Sequence, residues 1–292
     1  MSEPVMNLAG VHKSFGSTQV LRGVDLSVPE GTIMGLIGKN GAGKSTMIKC
    51  LLGLLNLDSG ISTVYGEPSC DLSAKTKQRI GYVPQTMTGF RWMKVETMLD
   101  YTGAFYPTWN RTKANALVLE WDLNPGARIS RLSEGERQKL SIIQALGHEP
   151  DLLVFDEPVA SLDPVARRQF LKQLIDLNMN EDRTMLFSTH ITSDLERVAA
   201  NIAILKDGVI AYQGDLAALQ DRFKRLHIHS SRDLPDPLPI SNILHSVVDH
   251  RSATVTVDGI ADEEIRILQG SLSASISIEH LNLEDIFLEV NR

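Results

Sequence analysis

The sequence predicts an α/β fold: a sheet core with an antiparallel β subdomain and a helical insertion, followed by a small C-terminal α+β appendage. Three observations predict it. Gly38-Lys39-Asn40-Gly41-Ala42-Gly43-Lys44-Ser45-Thr46 fits the pattern G-x-x-x-x-G-K-[ST] and lies between a short apolar run, Thr32 to Ile37, and a helix-like run, Thr46 to Leu52. Two later apolar runs, Asp151 to Phe155 and Thr184 to Ser188, end in polar residues, as buried parallel strands do. After Arg222 the composition shifts towards alternating strands and a proline-rich break, Leu234 to Pro239.

The glycine loop makes the core a P-loop NTPase sheet. Glycines at Gly38, Gly41 and Gly43, with small Ala42 and Asn40, let backbone amides wrap a polyphosphate without β-carbons in the way. The following helix start, at Ser45 and Thr46, adds partial positive charge. Lys44 is placed to reach β- and γ-phosphates, and the Ser45 hydroxyl to ligate Mg²⁺.

Upstream, Val5 to Phe15 and Gln19 to Val28 read as strands separated by Gly16-Ser17. Phe15 precedes the loop by some two dozen residues; it is able to stack on a purine, or to serve as a core or edge-strand aromatic. Ile61 to Tyr65 and Arg79 to Val83 are further strands, and Gln85 sits just beyond the second. Ligands on open parallel sheets gather at such C-terminal strand ends. A glutamine there can orient a water or touch Mg²⁺, or be an ordinary loop residue.

Residues 86 to about 145 form the insertion. Val95 to Phe105 and Thr112 to Trp121 have helical periodicity. The aromatics Phe90, Trp92, Tyr101, Phe105, Tyr106, Trp109 and Trp121 are expected to form its small core rather than a binding face, the alternative. Ser133 and Glu136 have capping-box spacing, so a helix starts there and runs to about Gly147. The same geometry is an anion site when its amides, including that of Gly135, are free.

Asp156 and Glu157 end an apolar strand. One acid beside a phosphate loop suits Mg²⁺, and the second suits a general base for water. Asp163 follows in Ser161-Leu162-Asp163-Pro164, before a helix from Val165 to about Leu177. His190 ends the next buried strand, where a γ-phosphate is within reach. Ile202 to Leu205 and Val209 to Tyr212 read as a hairpin. Beyond it the strands are Leu226 to His229, Ala253 to Val257 and Ser275 to Ile278, and the helices Asp262 to Gln269 and Leu283 to Val290. The expected domains are therefore 1–222 and 223–292.

The 292 residues are 42% hydrophobic, enough for one large domain and a small one. A formal net charge of -7 argues against a nucleic-acid groove. Cys50 and Cys70 have neither metal nor redox spacing and read as reduced thiols of a cytosolic protein. No secretory leader and no membrane-length apolar run is legible, so any membrane part belongs to another chain.

In this order, Phe15, Gly38 to Thr46, Gln85, Leu132 to Glu136, Phe155 to Pro158, Ser161 to Asp163 and His190 resemble the nucleotide-binding subunits of ABC transporters over residues 5 to 220. The resemblance implies that Phe15 stacks on adenine and that Gly38 to Thr46 are Walker A. Gln85 is the Q-loop, Leu132 to Glu136 the signature, Phe155 to Pro158 Walker B, Asp163 part of the D-loop and His190 the switch histidine. It implies the cofactors ATP and Mg²⁺, the ion being held by Ser45, Asp156 and Gln85. It also implies two subunits packed head to tail, with Ser133 and Gly135 of one facing the nucleotide of the other. The signature departs from LSGGQ at Glu134 and Glu136, which places acids near the γ-phosphate.

Asn282 to Glu289 and Phe105 to Asn110 resemble segments of ABC-2-type exporter ATPases. The implied protein lies at the cytoplasmic face of the membrane, held by a polytopic permease subunit. An importer ATPase and a non-transport ABC switch are the alternatives. Relatives of the second kind carry two cassettes, a coiled-coil insertion or basic surfaces, and this sequence has none of them.

Overall fold

The computed structural model describes residues 3–87, 89–160, 162–181 and 183–291. The chain divides into two compact units, residues 1–213 and 214–292. The break expected after residue 222 thus falls inside the second unit.

In the first unit, β1 (Met6–Phe15), β2 (Thr18–Val28), β4 (Ser59–Val64) and β5 (Glu67–Pro68) form an antiparallel sheet in the order β2-β1-β4-β5. The remaining strands are β3 (Ile33–Ile37), β6 (Ile80–Val83), β7 (Leu152–Asp156), β8 (Thr184–Thr189), β9 (Asn201–Lys206) and β10 (Val209–Asp215). They make a six-stranded sheet, β10-β9-β3-β8-β7-β6. The pairs β3–β8, β3–β9, β6–β7 and β7–β8 are parallel. Every residue of β3, β7 and β8 is buried, which is why these strands read as unbroken apolar runs rather than alternating ones.

Helix α1 (Lys44–Leu51) starts two residues before the expected point and turns Met47, Ile48 and Leu51 into the main core. There they meet Leu8, Val24 and Leu26 of the antiparallel sheet and Leu36 and Val154 of the parallel one. The short helix α2 (Ala74–Gln78) leads into β6. On β7 and β8, Phe155 and Phe187 form a ring cluster with Phe170 of α6 (Pro164–Glu181), at centroid separations of 5.3 to 6.4 Å. Helix α6 runs four residues past its expected end. Helix α7 (Thr192–Val198) packs Leu195 against Gly35 so closely that a β-carbon there would lie 2.7 Å from it.

The insertion holds α3 (Val95–Gly103), α4 (Arg111–Glu120) and α5 (Glu134–Leu146). Its aromatics correct the expectation of a small aromatic core. Phe90, Trp92, Tyr101 and Phe105 are exposed, Trp92 at 65%, and touch one another in a chain of edge contacts. The inward positions are filled instead by Val95, Met98, Leu99, Ala114, Leu117, Val118 and Ile143. Trp121 alone is fully buried, and the half-buried Trp109 is wedged where a β-carbon on Gly103 or Gly147 would strike its ring.

The second unit contains α8 (Leu216–Arg222), β11 (Phe223–Ser230), β12 (Ile243–Asp249), β13 (Ser252–Asp258), α9 (Asp262–Leu272), β14 (Ala274–His280) and α10 (Leu283–Val290). Its antiparallel sheet has the order β12-β13-β11-β14. Leu226, Ile228, Val255 and Val257 meet Ile265 and Leu268 of α9 in a separate core. β12 was not anticipated; the other three strands lie where alternation places them. Among the described residues no helix is long and apolar enough to cross a membrane.

Candidate functional site: a phosphate loop against two carboxylates

The C-terminal ends of β3, β7 and β8 lie side by side, in register from Ile37 with Thr189 to Asp156 with Ser188. From β3 the chain enters the glycine loop. At Gly38 a β-carbon would stand 2.7 Å from the Leu205 carbonyl, so only glycine fits. Gly43 caps α1 with φ 107°, a left-handed conformation open to glycine. Met47 N–H bonds back to Gly43 at 2.8 Å, and no side chain caps the helix start.

Lys44 is only 4% exposed. Its ammonium donates to the Gly38 carbonyl at 2.8 Å and to Lys39 at 3.3 Å, and pairs with Glu157 Oε1 at 3.0 Å. The other Glu157 oxygen lies 2.8 Å from His190 Nδ1. Burial pushes the Glu157 carboxyl up, but Lys44 and His190 outweigh it and hold the group below the usual range. Glu157 is therefore ionised, as a water-polarising base must be.

Glu157 adopts φ 50°, left-handed and costly for a residue with a β-carbon, by about 1–2 kcal/mol. Its N–H is fixed by both the Ser188 carbonyl, at 3.1 Å, and the Ser188 hydroxyl, at 3.0 Å. That turn aims the carboxylate back at Lys44 instead of along the strand. The Ser188 hydroxyl also donates to Asp156 Oδ1 at 2.9 Å. Ser188 thus ties the two acids together, a role the sequence reading missed. Its only signal is a serine near the C-terminal end of a buried strand, two residues before His190.

Asp156 is buried, and burial raises its pKa against hydrogen bonds from Ser45 and Ser188. A buried carboxylate bonded to the Ser45 hydroxyl, with Lys49 nearby but no ion pair to it among the described residues, is a hard-oxygen donor pair that fits a divalent cation. No group of three or more His, Cys, Asp or Glu able to hold a metal occurs among the described residues. Mg²⁺ bound by few protein groups keeps waters and phosphate oxygens as its other ligands. Ser45 and Asp156 open into a groove of about 860 Å³ that is also lined by Gln85, Tyr82, Lys49, Tyr106 and His148. The rings of the last two stack at 3.9 Å.

Lys44, Ser45, Asp156, Glu157, Ser188 and His190 therefore converge in one network, with Gln85 on the same groove. Gly38 joins it through its carbonyl, while Ser133, Gly135, Asp163 and Phe15 lie apart from these bonds. Ser133 caps α5 in a full capping box: its hydroxyl accepts from Glu136 N–H at 3.2 Å and its N–H donates to the Glu136 carboxylate at 2.7 Å. Gly135 lies in that first turn. Asp163 accepts from Val165 and Ala166 N–H at the start of α6. Phe15 ends β1 half exposed, with the Lys13 ammonium 5.7 Å from its ring centre. Ser161 lies outside the described residues.

The chain is similar to known proteins. Residues 21–160 match the family model described as ABC transporter. The chain is 30% identical, over 98% of its length and 98% of the relative's, to the uncharacterized ABC transporter ATP-binding protein YhaQ of Bacillus subtilis. It is 30% identical, over 99% and 97%, to the Nod factor export ATP-binding protein I of Bradyrhizobium diazoefficiens. Among solved structures, the dimeric post-hydrolysis state of the ATP-binding cassette MJ0796 bound to ADP and Pi superposes with a TM-score of 0.65. It covers 72% of this chain and 98% of that one at 23% identity, and shows the shared fold. A phosphate loop whose lysine faces two strand-end carboxylates, in a chain matched from end to end by such relatives, places this protein among the ATP-hydrolysing ATP-binding subunits of ABC transporters.

Proposed function

We propose that the chain pairs with a second copy around ATP and Mg²⁺ and powers export through a separate membrane-spanning partner. The observation that carries the catalytic part is Glu157, held ionised between Lys44 and His190 at the mouth of the glycine loop. With nucleotide bound, the phosphates take over Lys44 and the loop amides. Glu157 is then free to polarise the attacking water, while His190 and Gln85 sense the γ-phosphate. Mg²⁺ supplies charge neutralisation of the phosphates and would be held by Ser45 and Asp156, with Gln85 at its edge. Positioning and charge stabilisation are most of what phosphoryl transfer needs. Phe15, exposed at the end of β1, is free to stack on adenine.

Pairing explains the residues outside this network. Ser133, Gly135 and Asp163 make no bond to it, and in the paired arrangement they serve the partner's nucleotide. The dimeric state of the MJ0796 cassette supports this reading. Export is supported by the relative that bears that function in its name and by the tail Asn282 to Glu289. The membrane partner is supported by the exposed aromatics beside the groove, a surface polar solvent does not favour.

The test is purification of the tagged chain from its native membrane. A polytopic protein lacking an ATPase of its own, copurifying and stimulating ATP hydrolysis, is the expected result. Sedimentation with ribosomes and no membrane partner would sink the export reading and leave the ATPase assignment standing.

A further inference from the structure

The second unit has two sheet edges, and they are built differently. At the β14 edge the backbone is covered in part: the Gln269 amide donates to the Ile276 carbonyl at 3.4 Å. Glu279 on the same strand pairs with Arg225 and His227, at 3.1 and 2.8 Å. Edge strands protected from further pairing carry such charges and covers.

β12 has no such cover, and its one formally charged side chain, Asp249, stands at its end. Its seven residues pair only with β13, and no hydrogen bond or ion pair reaches the residues from Leu244 to Val248 from outside that pairing among the described residues. Leu244, Val247 and Val248 are exposed, Val247 at 58%. The one irregularity lies between Ile243 and His245, leaving His245 to Asp249 straight. Lysine, arginine and proline, the usual edge protectors, are absent from it.

We propose that β12 pairs antiparallel with β12 of a second copy of this chain, Val247 opposite Val247. The register with β13 puts His245, Val247 and Asp249 on the face away from the core, because Ser246 and Val248 sit opposite the core residues Val255 and Ala253. A two-fold axis at Val247 then sets each His245 imidazole opposite the partner's Asp249 carboxylate. A donor meets an acceptor twice, flanking an apolar centre, the self-complementarity that a two-fold interface requires. Shifting the axis to Ser246 would instead oppose His245 to Val247 and lose both polar pairs. This contact needs no nucleotide and goes beyond the ATP-dependent pairing proposed above.

Disulfide trapping of the full-length, nucleotide-free protein tests it. Cys50 is buried and Cys70 exposed, so Cys70→Ser provides the background. Val247→Cys is compared with His245→Cys and with Ile267→Cys, an exposed position on α9. In the proposed register the two copies of residue 245 lie about 13 Å apart along the strands. A disulfide needs Cα atoms within about 7 Å. Under mild oxidation Val247→Cys gives a linked dimer in several-fold higher yield than either control, and does so equally in a Lys44→Ala background. Equal yields at all three positions, or a higher yield at residue 245, overturn the proposal. A Val247→Cys link that forms only when ATP and Mg²⁺ are added would assign it to nucleotide-dependent pairing and likewise overturn it.

Discussion

Two helix starts in the first unit present the same backbone donors in opposite states. α1 begins bare: Gly43 offers no side-chain cap and no acid stands in its first turn. α5 begins closed: Ser133 and Glu136 satisfy each other's amides, and Glu134 adds a second negative charge. A helix start without caps gives up about 1 kcal/mol of stability. In the proposed function that deficit is offset when the amides and positive end of α1 meet a nucleotide's phosphates, with Lys44 beside them. In the proposed pairing, the capped start of α5 would present a rigid surface to a partner's nucleotide.

The largest effect should come from removing the base that faces the open start. Glu157→Gln should lower ATP turnover by about 10²- to 10⁴-fold, the usual worth of a general base, in a steady-state phosphate-release assay. Turnover within threefold of the parent would break the assignment. The same variant carries a pH signature. The folded Glu157 pKa lies below its ordinary value of 4.5, so its contribution to stability is present above about pH 4.5 and is lost as pH falls through the lower folded value. Asp156, raised by burial, works in the opposite sense. The parent should therefore melt above Glu157→Gln at pH 7, with the gap closing in melts below about pH 4.5.

Next in size is the loop lysine. Lys44→Ala removes charge-assisted bonds worth about 1.5–3 kcal/mol each, so ATP affinity should fall about 10- to 100-fold by calorimetry. At the closed start, Ser133→Ala should cost about 1 kcal/mol of stability in denaturant titrations, while ATP binding by the single chain is unchanged. Smallest is Glu136→Gln, which keeps the capping box and removes its charge. Glu136 is held ionised by its hydrogen bonds from Ser133. Relieving its repulsion of a partner's phosphate, about 0.3–1 kcal/mol, should tighten ATP-dependent pairing about two- to fivefold in sedimentation experiments.

The bare start was legible in the sequence because glycine, lysine and serine at fixed spacing admit few other uses. The strand ends were legible because strands buried on both faces read as apolar runs that stop at Asp156 and His190. Other features were hidden for physical reasons. Aromatic composition in the insertion says nothing of direction, so Phe90, Trp92, Tyr101 and Phe105 were assigned to a core that aliphatic side chains fill. β12 escaped because an edge strand exposed on both faces shows no clean alternation in Ile243 to Asp249. Ser188 escaped because its two bonds to the acids come from chain that is adjacent only across the sheet.

The central claim is that the open loop of one chain and the closed helix start of another meet across one nucleotide. Sedimentation equilibrium of Glu157→Gln with and without ATP and Mg²⁺ tests it most directly. With the β12 edge blocked by Val247→Lys, the account predicts a monomer-to-dimer shift on adding ATP, abolished when Lys44→Ala is introduced alongside. A Glu157→Gln protein that binds ATP yet keeps the same mass at every concentration would contradict it.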